Sequence, residues 1–77
     1  MHLFRFITKI IGRRIKFERM KRDWSQENLA ELAGINKSTI GFIERAMNSP
    51  SIETVEKIAK AFGMSFLDLV DMSKFDI

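Results

Sequence analysis

The chain has 77 residues, a formal net charge of +3 and no cysteine. This length predicts one domain near the lower size limit for a single core, and the lack of cysteine excludes disulfides and thiolate metal sites, as suits a cytoplasmic protein. Because His2 is the only histidine and the sequence has no phosphate-binding glycine loop, we expect neither an enzyme nor a bound metal or other cofactor.

Positive charge is concentrated in residues 1–22. They hold eight of the thirteen basic residues against one acid, Glu18, for a net charge of +7, whereas residues 23–77 carry a net charge of −4. One end of a small domain should therefore attract polyanions and orient an approach to phosphate. The alternative is that these basic side chains only keep a short helix soluble.

Residues 1–7 form an apolar arm whose conformation the sequence leaves open. Residues 3–7 are as compatible with an extended arm as with a helical extension. The apolar run from Leu3 to Ile11 is interrupted by Arg5 and Lys9, is too short to cross a bilayer and lacks the features of a secretion signal. We therefore expect no membrane association and a cytoplasmic location.

The first helix is predicted from Thr8, a candidate N-cap, to about Arg22. Ile11 and Ile15 are four residues apart on one face of this helix, with Met20 near that face. The face therefore predicts contact with the rest of the domain.

The second helix is predicted to begin after Ser25. Ser25 is a natural N-cap, and Trp24 and Leu29 are placed as a hydrophobic staple across the start of the helix. Gly34 ends the helix, because the residue after a helix commonly needs a positive φ.

A third helix follows after a short turn, from Lys37 to about Arg45, with Asn36 as its predicted cap. Its polar residues point outward, while the apolar residues of the second and third helices fall where two crossed helices would face each other and a third. These apolar residues are Leu29, Ala30, Ala33, Ile35, Ile40 and Ile43.

Residues 46–50 are predicted to form a loop, and Ser51 caps a fourth helix that Gly63 ends. The apolar positions of this helix keep a 3.6-residue period. They are Ile52, Val55, Ile58, Ala59 and Phe62.

The fifth helix is predicted from a capping-box pattern formed by Ser65 and Asp68, and it extends to about Met72. The expected result is an all-α domain with five helices and no convincing strand. It covers residues 8–72 and is followed by a tail, residues 73–77.

A set of spaced short motifs runs through the middle of the chain. It comprises Ser25-Gln26-Glu27, Leu29-Ala30, Ala33-Gly34, Thr39-Ile40, Ile43-Glu44-Arg45, Pro50-Ser51 and Ile58-Ala59-Lys60-Ala61-Phe62-Gly63. Together these motifs resemble the phage-repressor and Cro-like, or Xre-type, helix-turn-helix family, and the length and layout are also similar to restriction-modification controller proteins. The resemblance covers Ile11 to about Val70 and implies a compact, lambda-repressor-like DNA-binding domain.

The resemblance implies that the third helix enters the DNA major groove while the second crosses the backbone above it. The base-reading positions then correspond to Lys37, Ser38, Gly41 and Phe42, although Phe42 could instead pack against the domain or across a dimer. The candidate phosphate contacts are Ser25, Gln26, Thr39, Asn48, Ser49, Arg19, Arg13 and Arg14.

The resemblance also implies an ion pair between Arg19 and Glu44. Such a pair would join the first helix to the end of the third. We expect it to set the angle of the reading helix more than to stabilise the fold, because desolvation offsets much of the Coulomb attraction.

Four departures from the family pattern affect these expectations. Asn28 replaces the usual capping glutamate, Ala46 a frequent glycine, and Glu18 a frequent apolar residue. The loop at residues 47–49 lacks the lysine or arginine often found there. Without such a basic residue, the loop loses expected contacts to the DNA backbone, which argues against tight binding by a monomer.

Apolar residues near both ends predict a homodimer, since a monomer of this size cannot easily bury them. The alternative is that both termini fold back on their own subunit. The predicted interface residues are Leu67, Val70, Met72, Phe75, Leu3 and Phe4.

The function expected from these features is a transcription regulator that binds double-stranded DNA as a homodimer on a palindromic operator. RNA polymerase remains open as a further partner. An antitoxin that binds a toxin through its apolar termini and represses its own promoter is the alternative.

Overall fold

The computed structural model describes residues 2–71 and 73, with side chains from Arg5 onward. Over these residues it contains five α-helices and no strand. The helices are α1 (His2–Lys21), α2 (Gln26–Ala33), α3 (Lys37–Glu44), α4 (Ile52–Phe62) and α5 (Phe66–Leu69). The predicted all-α class is confirmed.

Helix α1 begins at His2 and not at Thr8. Thr8 is therefore not an N-cap but a buried residue within the helix. Of the two interpretations of residues 3–7, the structure has the helical extension. No acidic residue lies in the first turn, so the sequence carried no signal for this earlier start.

Helix α2 begins with a complete capping box in which asparagine takes the part of glutamate. The Asn28 amide donates to Ser25 Oγ at 2.9 Å, and the Ser25 amide donates to Asn28 Oδ1 at 3.0 Å. The departure at Asn28 therefore preserves the cap. Gly34 ends the helix with φ 70°, in the left-handed conformation predicted for it.

Helix α3 has Asn36 at its N-cap position, but the Asn36 side chain makes no capping hydrogen bond. After the helix ends, Ala46 has φ 58°, and the Met47 amide donates to the Phe42 carbonyl at 2.8 Å. The chain thus makes the left-handed turn at a position where the family often has glycine, at a cost of about 1–2 kcal/mol.

Helices α4 and α5 begin as predicted. The Thr54 amide donates to Ser51 Oγ at 3.1 Å, and the Asp68 amide donates to Ser65 Oγ at 3.0 Å. Gly63 ends α4 with φ 75°. Helix α5 is shorter than expected, since it ends at Leu69.

The hydrophobic core draws residues from all five helices. Two residues predicted to lie on its face do not, because Met20 is 57% exposed and Ile52 is 73% exposed. The buried apolar residues of this core are Ile15, Leu29, Ala30, Ala33, Ile40, Ile43, Val55, Ile58, Ala59, Phe62 and Leu69.

Candidate nucleic-acid interface

The outward face of α3 carries three of the four predicted base-reading residues. Ile40 and Ile43 point into the core, so Lys37, Ser38 and Phe42 lie on the side of the helix away from it. Lys37 and Ser38 are exposed in the first turn, and Phe42 is 38% exposed one turn later. Among the residues that the structure describes, these three side chains are thus exposed on one side of α3.

Gly41, the fourth predicted base-reading residue, is buried. A Cβ atom at Gly41 would lie 3.2 Å from Arg45 Nη1 and 3.6 Å from Gln26 Oε1. The expectation that its bare backbone is open to sugar or phosphate is therefore corrected: these two side chains cover it. Any DNA group that reached Gly41 would first have to displace Arg45.

Arg45 is a candidate site residue that sequence reasoning left out. It is exposed at the end of α3, with its guanidinium 5.5 Å from the centre of the Phe42 ring. The available signal was its spacing, because Gly41 and Arg45 are four residues apart and therefore neighbours on one face of a helix.

Arg19 and Glu44 form the ion pair that the family resemblance implies. Arg19 Nε donates to Glu44 Oε2 at 2.7 Å, and Arg19 Nη2 donates to Glu44 Oε1 at 2.9 Å. Arg19 Nη1 also donates to the Trp24 carbonyl at 2.8 Å. The pair thus links α1, the start of α2 and the end of α3, and the hydrogen bonds to Glu44 raise the pKa of Arg19 above its usual value.

The start of α2 contributes two of the predicted phosphate ligands. Gln26 Nε2 donates to Glu44 Oε1 at 3.1 Å, so this side chain is held against the ion pair. Ser25 is exposed, although its hydroxyl already accepts the capping hydrogen bond of Asn28. An anion could still bind at the N-terminus of α2, through the positive end of the helix dipole and the free backbone amides there.

Arg14 was predicted to contact phosphate, and the structure contradicts this. It is 8% exposed, with Arg14 Nε donating to Glu18 Oε2 at 2.9 Å and Nη1 donating to the Asp71 carbonyl at 3.4 Å. The cause is the buried carboxylate of Glu18, which attracts the neighbouring basic side chains inward. Arg22 and Lys21 also pair with Glu18 Oε1, at 2.7 Å and 3.4 Å.

Glu18 is charged although it is buried. Desolvation alone would raise its pKa, but hydrogen bonds from Arg22, Arg14 and Lys21 outweigh that effect and hold the pKa below its usual value. The positive charge of residues 1–22 is therefore partly compensated inside the fold, since Glu18 and Glu44 pair with Arg14 and Arg19, two of the predicted phosphate ligands.

Arg13, Asn48 and Ser49 lie exposed at the surface, and Thr39 is half-buried. Asn48 and Ser49 belong to the loop between α3 and α4. The Ser49 hydroxyl lies 3.5 Å from the Thr8 hydroxyl of α1, so this loop and α1 are in contact.

The predicted dimer residues are described only in part. Leu67 is 75% exposed, whereas Val70 is half-buried against the core. Met72, Phe75 and the side chains of Leu3 and Phe4 lie outside the described residues.

Two further apolar side chains on α1, which were not predicted to lie at the surface, are exposed. Phe17 is 49% exposed and Met20 is 57% exposed. They add apolar surface to a helix that was expected to present charge.

Neither a metal centre nor a membrane span emerges from the part of the chain described. Over residues 2–71 and 73, no histidine, aspartate and glutamate side chains cluster as a metal site would require. No helix in the same residues is long and apolar enough to cross a membrane.

The sequence is similar to named regulators from phage and bacteria. It is 39% identical over 64 residues to the cryptic phage CTXphi transcriptional repressor RstR of Vibrio cholerae, covering 83% of this chain and 58% of that protein. It is 34% identical over 68 residues to the control protein C.BamHI of Bacillus amyloliquefaciens, covering 87% of this chain and 84% of that protein. Neither is described as an enzyme.

A solved structure gives the same picture of the fold. The structure of SinR, a master regulator for biofilm formation, in complex with DNA matches with a TM-score of 0.73 and 40% identity, covering 79% of this chain and 98% of that chain. The chain spans 58% of the length of RstR and 34% and 57% of the length of two other similar regulators.

Residues 15–69 match the helix-turn-helix family HTH_3. This segment contains α2 with its N-cap, the turn at Gly34 and α3, which the ion pair of Arg19 and Glu44 joins to α1. Sequence and geometry agree on the same part of the molecule, and the chain belongs to this helix-turn-helix family.

Proposed function

We propose that this chain is a sequence-specific DNA-binding transcription regulator that reads an operator through α3. The observation that carries the proposal is the exposed face of α3 around Lys37, Ser38 and Phe42, held by the buried pair of Arg19 and Glu44. The relatives support it, since RstR is a transcriptional repressor and SinR was solved in complex with DNA.

The exposed residues of α3 suit the major groove chemically. The Lys37 ammonium donates to guanine O6 or N7, the Ser38 hydroxyl pairs with more than one base, and the Phe42 ring packs on a thymine methyl group. Because bonds to phosphate fix register while bonds to bases carry sequence information, specificity is assigned to these three residues.

Phosphate contacts would come from residues around this face. The amides at the start of α2, with Ser25, favour an anion, and Thr39, Asn48, Ser49 and Arg13 are close to or at the surface. Arg19 acts in this proposal chiefly through Glu44, because each of its three guanidinium nitrogens already donates a hydrogen bond within the fold.

We further propose that the regulator works as a homodimer in the cytoplasm. Leu67 on α5 supports this, since it exposes 75% of its surface among the described residues, which is a large fraction for an apolar side chain. Two reading helices about 34 Å apart match two half-sites of a palindrome on one face of the duplex. Bound there, the dimer would block or recruit RNA polymerase by position.

The antitoxin alternative is not proposed. None of the relatives described above is named as an antitoxin.

The proposal is tested by selecting bound sequences from a random duplex pool at a stated salt concentration. Enrichment of a palindromic sequence is expected. Lys37→Ala should then cost about 1–3 kcal/mol on the selected site and relax preference at one base pair. Lys60→Ala, on the exposed surface of α4, is the matched control.

Two results would contradict the proposal. A pool that remains random after selection would show that no sequence is read. Equal losses on all sequences for Lys37→Ala would assign Lys37 to the phosphate backbone and remove it from base reading.

A further inference from the structure

An open groove of about 560 Å³ lies between the start of α1 and the loop that joins α3 to α4. One wall comes from the first turns of α1, which carry Arg5 and Lys9, and the other from the end of α3 and the following loop, with Arg45, Asn48 and Ser49. The extension of α1 back to His2 creates this groove, because an extended arm would not present these side chains on one wall.

The charge of the groove has a single sign. Its lining includes Arg5, Lys9 and Arg45 and contains no carboxylate. Among the residues that the structure describes, no acid forms an ion pair with any of the three. They differ in this from Arg14 and Arg19, whose charges are engaged by Glu18 and Glu44.

Helix α1 fixes the positions of Arg5 and Lys9 relative to each other. Arg5 and Lys9 are four residues apart in α1 and therefore neighbours on one face. The Thr8 hydroxyl between them lies 3.5 Å from the Ser49 hydroxyl, so that α1 directly adjoins the loop. The loop has no lysine or arginine at residues 47–49, and α1 supplies the missing positive charge from the side.

The groove is also continuous with the reading face. Arg45 lines it and at the same time lies 5.5 Å from the Phe42 ring on the outward face of α3. A polyanion that lies along α3 would therefore reach the groove at the end of that helix without leaving the protein surface.

We propose that this groove binds the phosphodiester backbone of the duplex that α3 reads, with Arg5 and Lys9 as phosphate ligands. The inference rests on the proposed function and adds to it a backbone contact made from α1. Uniform positive charge and nearby hydroxyl and amide donors suit consecutive phosphates. Phe6 and Met47, which also line the groove, offer apolar contact to the sugars.

The test compares Arg5→Gln/Lys9→Gln with the wild-type chain on the duplex selected from the random pool, by mobility shift across a salt series. The slope of log K against log salt should fall by about 0.9 for each lost phosphate contact, hence by about 3.6 for a dimer that loses four. Affinity should drop at least about tenfold at physiological salt, with base preference unchanged.

Two controls separate a local contact from general charge. Arg5→Lys/Lys9→Arg keeps both cations and should restore the slope. Lys60→Gln removes one cation from the exposed surface of α4 and should leave the slope near the wild-type value. Circular dichroism checks that each variant is folded.

The outcomes distinguish the inference from the proposed function. Wild-type chain that binds no selected duplex overturns both. Wild-type binding with an unchanged slope for the double Gln variant, or an equal fall for Lys60→Gln, overturns the groove assignment alone. A double Gln variant that instead changes its sedimenting mass with DNA binding intact would assign the groove to a protein contact and overturn the inference as well.

Discussion

Gly12→Ala is expected to destabilise the fold, although alanine is the better helix former. At Gly12, α1 packs so closely on the end of α3 that a Cβ atom would overlap the Ile43 carbonyl oxygen, and it would lie 3.3 Å from the Glu44 carbonyl oxygen. Both obstacles are backbone atoms, so no side-chain rotation relieves the clash. Helix propensity would add about 1 kcal/mol, whereas overpacking costs typically about 1–3 kcal/mol and sometimes more.

Because both obstacles are backbone atoms, the cost should lie in the upper part of that range, about 2–3 kcal/mol. We therefore expect the free energy of unfolding to fall by about 1–2 kcal/mol after the gain in helix propensity, measured by urea denaturation followed by circular dichroism. Gly41→Ala is the matched control within α3. Its Cβ would meet Arg45 Nη1 at 3.2 Å, the tip of a flexible side chain that can move. This variant should retain most of the propensity gain, up to about 1 kcal/mol.

A Gly12→Ala chain as stable as the wild type, or more stable, would refute the close contact between α1 and α3. The m-value must stay constant for the comparison to hold, because a changed slope would signal a different denatured or native state. DNA binding should weaken in the same variant, since displacing α1 also moves the ion pair that holds α3.

Three other changes test separate parts of the structure. Because its folded pKa is lowered, Glu18 contributes stability that is present above its unfolded pKa of about 4.5 and is lost as pH falls through the folded value. Glu18→Gln, which weakens hydrogen bonds to a charged group, should lower the free energy of unfolding by about 1.5–3 kcal/mol at pH 7. If the stability of this variant fell with acid as steeply as that of the wild type, the prediction would be wrong. Arg19→Ala leaves the Glu44 carboxylate buried and unpaired and should lower the free energy of unfolding by about 3–5 kcal/mol. The double variant Arg19→Ala/Glu44→Ala should lose less than the sum of the two single losses. If the single losses simply added, the two residues would not be coupled. Leu67→Glu should give monomers in sedimentation with unchanged helical content, and a persistent dimer would place the interface elsewhere.

Most of the helix boundaries could be predicted because their signals are local. Ser25, Ser51 and Ser65 each accept a hydrogen bond from the amide three residues later, and Gly34 and Gly63 adopt the positive φ that ends a helix. These interactions depend on neighbours in the sequence alone, so residue type and spacing suffice to find them.

The start of α1 had no such signal. Its first turn contains no acidic residue. What accompanies the helical extension is contact with a distant segment, the Thr8 hydroxyl beside that of Ser49, and a sequence pattern does not show which segments meet.

The exposed face of the candidate site could be predicted from the sequence, but the pairing of its charged side chains could not. The exposed face of α3 follows from helical periodicity, because Ile40 and Ile43 must point inward. The role of Arg14 does not, since the buried carboxylate of Glu18 decides it. Gly41 was misread for a similar reason: its cover comes from Arg45 and from Gln26 in another helix.

The stacking of Trp24 on Phe62 gives the molecule an optical reporter of its own. Trp24 is the sole tryptophan, its ring centroid is 5.7 Å from that of Phe62 with an angle of 21° between the planes, and the Arg22 guanidinium lies 4.7 Å from the Phe62 ring. Intrinsic fluorescence excited at the indole therefore reports on the junction of α1, α2 and α4. Stopped-flow emission can time the closing of that junction during refolding without any attached dye.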